Sequence, residues 1–303
     1  MASSRKLVIY AALAGNALIA FMKFIAAFIT GSSAMFSEGI HSVVDTGNQM
    51  LLLYGLKQAK KPADDRFPFG HGKEIYFWSF VVAIMIFAVG AGVSIYEGIH
   101  RLLNPTPLEN IMVIYIVLSL AMIFEGAAWF FALKEFKQAK GQWGYIEAVQ
   151  RGKDPSIFVV LFEDTAAMLG LLVALLATIL TQVTGNLYFD GIASIIIGFI
   201  LAVTAMWLAF ETKGLLIGES ANMHVVNGIK KITKSYDKIE HVNEVLTVHM
   251  GPEFILVNIS VEFRDEATAT EIEDTVSQLD TEIKNAYENV KRIFIEGEAR
   301  KKS

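Results

Sequence analysis

Two residues in the second apolar segment of the chain have the types and the spacing of metal ligands. His41 and Asp45 stand four positions apart, so a helix places both side chains on one face, with Glu38 one turn away on that face. Imidazole and carboxylate at this spacing can form half of a site for a divalent cation. Each ionisable group at the centre of a bilayer is energetically costly and is by default a functional hypothesis. The stripe therefore favours a metal site within the membrane over a polar seam of interhelical hydrogen bonds.

An acidic pair in the fifth apolar segment supplies the remaining candidate ligands. Glu163 and Asp164 are adjacent, and neighbours on a helix point about 100° apart. Only one of them is therefore expected to face the same cavity as His41 and Asp45. We predict Asp164, with Glu163 as the alternative ligand. The structural alternative is that both residues only anchor the end of their segment.

Further polar residues lie in the apolar segments. Asn48 and Gln49 continue the stripe of the second segment and, with Glu38, are candidates for a proton path. Lys23 in the first segment can neutralise either Glu38 or Glu125, and the sequence does not distinguish the two pairings. Asp190, at the start of the sixth segment, is expected to be a helix cap rather than a ligand.

Composition indicates a membrane protein with a smaller soluble tail. Hydrophobic residues make up 53% of the 303 residues, and six stretches reach the roughly 20 apolar residues that cross a bilayer. They lie at residues 7–29, 34–56, 76–102, 111–133, 157–181 and 188–210. We therefore predict an all-α six-helix transmembrane domain over residues 1–212, embedded in lipid, and a tail domain over residues 213–303.

The tail and the distribution of basic residues give a topology. Helical patterns at 223–235 and 268–287, with strands at 244–249, 254–263 and 289–296, predict a small α/β domain of ferredoxin-like type. Lysine and arginine concentrate before the first span (Arg5 and Lys6) and after the second and fourth spans. The positive-inside rule then places both termini in the cytoplasm, and we expect a bacterial inner membrane.

Charge and motif content exclude several function classes. The net charge of −5 gives no support for nucleic-acid binding. The absence of cysteine excludes disulfides and thiolate metal sites. No His-Glu-x-x-His pair is present, so nothing in the chain points to an intramembrane metalloenzyme, and no cofactor is expected.

The loop after the second span is a candidate for a second metal site. It carries Asp64 and His71 among two prolines and two glycines. The same residues also fit a rigid, solvated turn.

Three of these features together resemble the cation diffusion facilitator, or cation efflux, family. They are His41-Ser-Val-Val-Asp45 on the second span, the loop Pro62-Ala-Asp-Asp to Phe69-Gly-His-Gly-Lys73, and six spans followed by an α/β tail. The resemblance covers nearly the whole chain. It implies a homodimer that exports a divalent metal, most often Zn²⁺, in exchange for protons by alternating access. The tail would then be a cytoplasmic domain for dimerisation and metal sensing.

The chain also departs from the family pattern. The sequence Glu163-Asp164-Thr-Ala-Ala is similar to the divergent branch that contains zinc transporter nine of animal mitochondria. Because carboxylates favour harder ions than imidazole does, Mn²⁺, Fe²⁺ or a monovalent ion is an alternative cargo. The other alternative is a non-transporting membrane receptor or scaffold that has lost part of the metal site. The family's ligand positions are here taken by Ala167 and Leu171 in the fifth span, Phe67 in the loop, and Glu296 and Glu298 in the last strand.

Overall fold

The computed structural model describes the backbone of residues 2–299 and the side-chain environments of residues 15–149 and 151–299. The chain divides into two compact units, one formed by Met1–Gly55 and Phe77–Thr212 and the other by Leu56–Tyr76 and Lys213–Ser303. The loop after the second apolar segment thus belongs with the tail, whereas the sequence analysis grouped it with residues 1–212. Arg5 and Lys6, on which part of the topology rests, have side chains outside the described residues.

The first unit consists of long helices at the positions of the predicted spans. A π-helical turn, Ile86–Ala91, joins the third and fourth helices into one continuous helical stretch. The helices are α1 (Ala2–Thr30), α2 (Ser33–Ala59), α3 (Glu74–Met85), α4 (Gly92–Leu103), α5 (Ile111–Lys140), α6 (Tyr145–Arg151), α7 (Pro155–Thr184) and α8 (Tyr188–Ile217).

Four helical stretches among the described residues are long and apolar enough to cross a membrane. Each has 30 residues, and they are Glu74–Leu103, Ile111–Lys140, Pro155–Thr184 and Tyr188–Ile217. The described part of α1 gives a shorter apolar helix, Gly15–Thr30. Helix α2 is as long as a span, but its stripe of polar residues lowers its mean hydropathy. That α1 and α2 also cross the membrane therefore stays a prediction.

Helix α6 was not predicted from the sequence. It has seven residues, which is fewer than the two turns that periodicity needs to show an apolar face. The ring of Tyr145 stacks on that of Phe136 in α5, with centroids 6.0 Å apart. This contact holds the short helix against the end of the longer one.

Glycines let α4 and α8 approach each other closely. A Cβ on Gly98 would lie 2.7 Å from the carbonyl oxygen of Gly191, and one on Gly198 would lie 3.0 Å from the carbonyl oxygen of Ala91. Any larger residue at Gly98 or Gly198 would push the backbones apart. Small residues at helix interfaces serve this purpose in membrane bundles.

Asp190 is a cap, as predicted, but it caps a helix other than its own. From α8 its carboxylate accepts hydrogen bonds from the backbone N–H of Ser33 at 2.7 Å and from the Ser32 hydroxyl at 2.5 Å. Arg101 of α4 completes the cluster, with its Nε 3.3 Å from the carboxylate. The first N–H groups of a helix lack intrahelical partners and favour an anion. The cluster therefore fixes the start of α2, and with it the direction of the polar stripe.

The second unit has a three-stranded sheet with two helices. Its elements are α9 (Met223–Lys234), β1 (Ile239–Gly251), β2 (Phe254–Phe263), α10 (Ala269–Ala286) and β3 (Val290–Gly297). The strand order is β1-β2-β3, with β1 antiparallel and β3 parallel to β2. This agrees with a small α/β domain, and the assignment to the ferredoxin-like type stays a prediction.

Strand β1 begins five residues earlier than the alternating pattern indicated. Its pairing with β2 has register shifts between Ile239 and His241 and between Val242 and Glu244. Each shift places an extra residue in one strand and interrupts the alternation of inward and outward side chains. Periodicity alone therefore could not show that the strand extends to Ile239.

The loop of the second unit packs on the hairpin between β1 and β2. A Cβ on Gly72 would collide with the carbonyl oxygen of Met250 and would lie 3.2 Å from the Cα of Gly251. The second glycine of the Phe69-Gly-His-Gly-Lys73 sequence is thus needed for close approach of two backbones. This contact seats the loop that carries Asp64 and His71.

Helix α10 begins with a capping box, and we expect its loss to loosen that helix. The Thr268 hydroxyl accepts from the N–H of Glu271 at 3.4 Å, and the Glu271 carboxylate accepts from the N–H of Thr268 at 2.9 Å. Thr268→Ala should destabilise the start of α10 by about 1 kcal/mol. Hydrogen–deuterium exchange of the first α10 amides should then be about fivefold faster. Thr281→Ala, which removes no cap from the same helix, is the control. Equal exchange in the two variants would contradict the prediction.

Candidate functional site

The polar stripe of α2 is buried inside the first unit. Glu38 is 0% exposed, His41 is 1% exposed and Asn48 is 1% exposed. His41 Nε2 and Asp45 Oδ2 lie 3.3 Å apart, as expected for residues one turn apart on one helix face. The sequence prediction that these side chains share one face is confirmed.

Several atoms of this stripe lack a hydrogen-bond partner. Among the described residues, neither ring nitrogen of His41 is hydrogen-bonded, and neither are Asp45 Oδ1 and Glu38 Oε1. His41 Nε2 and Asp45 Oδ2 are close to each other, but their relative orientation does not make a hydrogen bond. Buried polar atoms are usually paired, and leaving one unpaired costs about 1–3 kcal/mol. An unpaired imidazole beside an unpaired carboxylate oxygen is the donor set that a divalent cation needs.

Helix α7 presents Glu163 to the stripe. Glu163 is buried, and its Oε1 accepts a hydrogen bond of 2.5 Å from Asn48 Nδ2 of α2. Asp164 is only partly buried. Both carboxylates act electrostatically on Asp45, and Glu163 acts more strongly. The geometry thus favours Glu163, the alternative of the sequence analysis, as the residue of α7 that meets the stripe.

Asn48 and Gln49 both take part in contacts between helices. Asn48 binds Glu163, and Gln49 Oε1 accepts a hydrogen bond of 3.1 Å from Asn16 Nδ2 of α1. These bonds fix α2 against α7 and α1. Their role in a proton path stays a prediction.

Lys23 contacts both of the glutamates that the sequence left as alternatives. Its Nζ lies 3.0 Å from Glu38 Oε2 and 3.7 Å from Glu125 Oε1, and it donates a hydrogen bond of 2.8 Å to Ser42 Oγ. Lys23 is fully buried. Ser42 was not predicted as a partner of Lys23, although its spacing of four from Glu38 places it on the same helix face.

The predicted ligands are not gathered into a closed metal site in this conformation. Among the described residues, no group of three or more histidine, aspartate and glutamate side chains is arranged to hold a metal ion. His41 and Asp45 are brought together on α2, and Glu163 and Asp164 of α7 act electrostatically on Asp45. The family positions Ala167 and Leu171 are buried and apolar. The ligand set therefore stays a prediction.

The loop residues Asp64 and His71 contact each other directly. His71 Nε2 lies 2.9 Å from Asp64 Oδ2, and the backbone N–H groups of Arg66 and Phe67 donate to Asp64 Oδ1. The ring of Phe67 packs on His71, with centroids 4.6 Å apart. Phe67 thus supports the imidazole at the position where the family has another ligand. A metal site at this pair stays a prediction.

Removal of His71 should raise the pKa of Asp64. The hydrogen bond from His71, followed by those from Phe67 and Arg66, holds the pKa of the Asp64 carboxyl below its usual value. In His71→Ala we expect this pKa to rise toward the usual value of an aspartate carboxyl, because the largest of these hydrogen bonds is lost. A depressed pKa adds stability that is present above the unfolded-state pKa and is lost as the pH falls through the folded-state pKa. The stability of the loop should therefore fall less in His71→Ala than in the unmodified protein when the pH is lowered into the acid range.

Carbon-13 NMR of the labelled Asp64 carboxyl in the full chain measures this change. His224→Ala, a histidine substitution outside the loop, is the matched control and should leave the titration of Asp64 as it is in the unmodified protein. An unchanged Asp64 titration in His71→Ala would contradict the prediction.

Glu298, at one of the family's metal positions in the tail, belongs to a hydrogen-bonded cluster. Ser260 Oγ donates to Glu298 Oε2 at 3.1 Å, and Asn243 Nδ2 donates to Ser260 Oγ at 3.1 Å and to the Glu298 carbonyl at 3.0 Å. These bonds join β1 and β2 to the residue that follows β3. They give Glu298 a structural role that the sequence did not show.

Comparisons with known proteins give a family match and several relatives of this chain. The model of the cation efflux transmembrane domain matches residues 9–217. The mouse protein named proton-coupled zinc antiporter SLC30A9, mitochondrial, is 35% identical over 259 residues, which cover 84% of this chain and 46% of that protein. Metal tolerance protein C4 of Arabidopsis thaliana is 28% identical over 253 residues, which cover 83% of this chain and 55% of that protein.

A bacterial relative matches over nearly its full length. Manganese efflux system protein MneP of Bacillus subtilis is 24% identical over 299 residues, which cover 96% of this chain and 95% of that protein. By contrast, the chain spans about half the length of the mouse and Arabidopsis relatives. The resemblance noted from the sequence is confirmed: the chain belongs to the cation efflux family, a family of membrane transporters and not of enzymes.

Proposed function

We propose that this chain exports a divalent metal cation in exchange for protons, with Zn²⁺ as the first candidate cargo. The ion binds between α2 and α7, held by His41 and Asp45 and by an acidic side chain of α7. The observation that carries the proposal is the buried imidazole beside a carboxylate oxygen, both without hydrogen-bond partners among the described residues. Zn²⁺ is commonly bound by histidine and carboxylate ligands.

The α7 ligand in this proposal is Glu163, with Asp164 beside it. Glu163 is buried and is oriented toward α2 by Asn48. His41 and Asp45 already lie close enough to share one cation, so closing the site requires the α7 carboxylate to reach an ion held by that pair. Such a closure is compatible with alternating access, in which helices of the bundle rock around a site near the midplane.

Proton exchange follows from the chemistry of the same ligands. A metal ligand has to be deprotonated, so metal binding releases protons and protonation releases the metal. His41, Asp45 and Glu163 can each carry a proton in the metal-free state. With an acidic outside, protons entering the site drive the cation outward.

Manganese is the second candidate cargo. The site offers one imidazole and two or three carboxylates, a donor set that also suits Mn²⁺ and Fe²⁺. The relative MneP is named a manganese efflux protein, whereas SLC30A9 is named a zinc antiporter. Comparing the proton flux driven by Zn²⁺ with that driven by Mn²⁺ distinguishes the two candidate cargoes.

We also propose that the chain works as a homodimer in a bacterial inner membrane, with six spans and both termini in the cytoplasm. The basic loops after the second and fourth spans support this orientation. The tail then lies on the side from which metal is removed.

Proton flux in proteoliposomes tests the proposed function. Purified protein is reconstituted with a pH-sensitive dye inside, and zinc, manganese, iron, cobalt, cadmium or sodium is added outside. We expect proton movement with zinc or manganese and none with sodium. Protein-free liposomes are the control for leakage. Flux that is the same with and without divalent cations would overturn the proposal.

A further inference from the structure

The Lys23 ammonium occupies a cage of oxygen atoms close to the proposed transport site. Its three neighbours are Glu38 Oε2 at 3.0 Å, Ser42 Oγ at 2.8 Å and Glu125 Oε1 at 3.7 Å. They come from α2 and α5, while Lys23 comes from α1. Lys23 and Glu38 are both 0% exposed, and Glu125 is 9% exposed. A charged group so deep in the first unit requires paired charges around it.

The cage brings two carboxyl groups to one ammonium group. Lys23 also acts electrostatically on Asp45 and His41. Glu38 Oε1 has no hydrogen-bond partner among the described residues, although it is buried. Two carboxylates and a hydroxyl around one point form an oxygen site of the kind that hard divalent cations occupy.

Helix α7 leaves room for the unpaired oxygen of Glu38. A Cβ added to Gly170 would collide with Glu38 Oε1. The glycine thus lets the carboxylate lie directly against the α7 backbone, and Glu38 reaches from the Lys23 ammonium on one side to α7 on the other. The cage and the proposed transport site therefore both use the face of α2 that carries Glu38, His41 and Asp45.

We propose that Lys23 is a resident cation, which fills with its own ammonium group a second divalent-cation position formed by Glu38, Ser42 and Glu125. This inference rests on the proposed function, because it assigns the transported ion to His41 and Asp45 and leaves the cage to the lysine. While the Lys23 ammonium fills the cage, each chain holds one transported ion, which is the ion at His41 and Asp45. Without the lysine, the cage takes a hard cation such as Mn²⁺.

The geometry of the cage suits this replacement. Hard divalent cations such as Mg²⁺ and Ca²⁺ bind oxygen ligands at about 2.0–2.6 Å, which is shorter than the contacts of the ammonium. The two nearer oxygens, from Glu38 and Ser42, lie on adjacent turns of α2 and need to move inward by less than about 1 Å. Glu125 has to move further, and its long side chain permits this.

Counting bound Mn²⁺ in the full chain tests the proposal. Isothermal titration calorimetry in detergent is carried out on the unmodified protein, Lys23→Met and Lys23→Arg. We expect Lys23→Met to bind one more Mn²⁺ per chain than the unmodified protein. Lys23→Arg keeps the positive charge and should bind the same number as the unmodified protein. Lys23→Met/Glu38→Gln loses a cage carboxylate and should not bind the additional ion.

Two results would overturn the proposal. One is an equal number of Mn²⁺ ions in folded Lys23→Met and in the unmodified protein. The other is an additional ion that persists in Lys23→Met/Glu38→Gln, because such an ion would bind elsewhere. The difference between variants cancels any metal bound by the loop or the tail.

Additional variants keep the test decisive. If Lys23→Met aggregates without metal, Mn²⁺ should restore a monodisperse protein, since a ligand that binds only the folded state stabilises it. If Mn²⁺ fails to do so, Lys23→Gln, which keeps a hydrogen-bonding side chain, is titrated in its place and decides the question. The titration is repeated in the Asp45→Asn background. An extra ion there, with transport unaffected by Asp45→Asn, would support the cage and refute the proposed transport site.

Discussion

Replacing Asp45 with asparagine is expected to reduce metal-dependent proton flux by at least about a hundredfold, while the protein stays folded. The amide has the shape of the carboxylate but carries no charge, and it neither binds a divalent cation strongly nor exchanges a proton. Loss of even an outer partner of a metal ligand typically costs about 10–100-fold in affinity or activity. Loss of a ligand itself should cost at least as much. The measurement is the initial rate of zinc- or manganese-dependent proton movement in proteoliposomes.

Glu97→Gln is the matched control for Asp45→Asn. Glu97 lies on α4 and is partly buried, and it lines a separate cavity of about 290 Å³ with Arg101 and Asn104. The same change from carboxylate to amide should there leave the flux within about twofold of the unmodified protein. Full flux in Asp45→Asn would contradict the site between α2 and α7. If instead the unmodified protein shows no flux with any ion, the receptor or scaffold alternative is favoured.

Replacing Glu163 with glutamine is the second change that should strongly reduce transport. Glu163 is buried, faces α2 through Asn48 and acts on Asp45 more strongly than Asp164 does. We expect Glu163→Gln to lower the flux on the order of a hundredfold, and Asp164→Asn to lower it by less than about tenfold. Both variants are measured in the same proteoliposomes. A larger loss in Asp164→Asn would identify Asp164 as the ligand, as first predicted from the sequence.

Asn48→Ala distinguishes two roles of Glu163: binding the metal ion, and holding α2 against α7 through Asn48. This variant removes the hydrogen bond between α2 and α7 but keeps the Glu163 carboxylate. A hydrogen bond contributes about 0.5–1.5 kcal/mol to stability, and the freed Glu163 side chain can still reach the metal. We therefore expect a smaller loss of flux than in Glu163→Gln. If Glu163 only positioned α2, Glu163→Gln would keep most of the flux, because the glutamine oxygen can still accept from Asn48, whereas Asn48→Ala would lower it.

The apolar periodicity determined most of the helices and strands. Segments of 20 or more apolar residues gave the long helices, and β2 spans the predicted residues 254–263. The exceptions have local causes, because α6 is too short to show a period and the bulges of β1 interrupt its alternation. Grouping of the loop 56–76 with the tail depends on backbone contact between Gly72 and Met250, which no sequence pattern indicates.

By itself, the sequence determined which residues share a helix face, because spacing within one helix fixes direction. His41 and Asp45 were therefore predicted as neighbours, and the family followed from their motif and the loop. Only the tertiary structure decided contacts between helices, since these depend on how each helix is rotated and packed. It brought Glu163 to Asn48, and it placed Lys23 between Glu38 and Glu125, so that the two pairings left open by the sequence both occur.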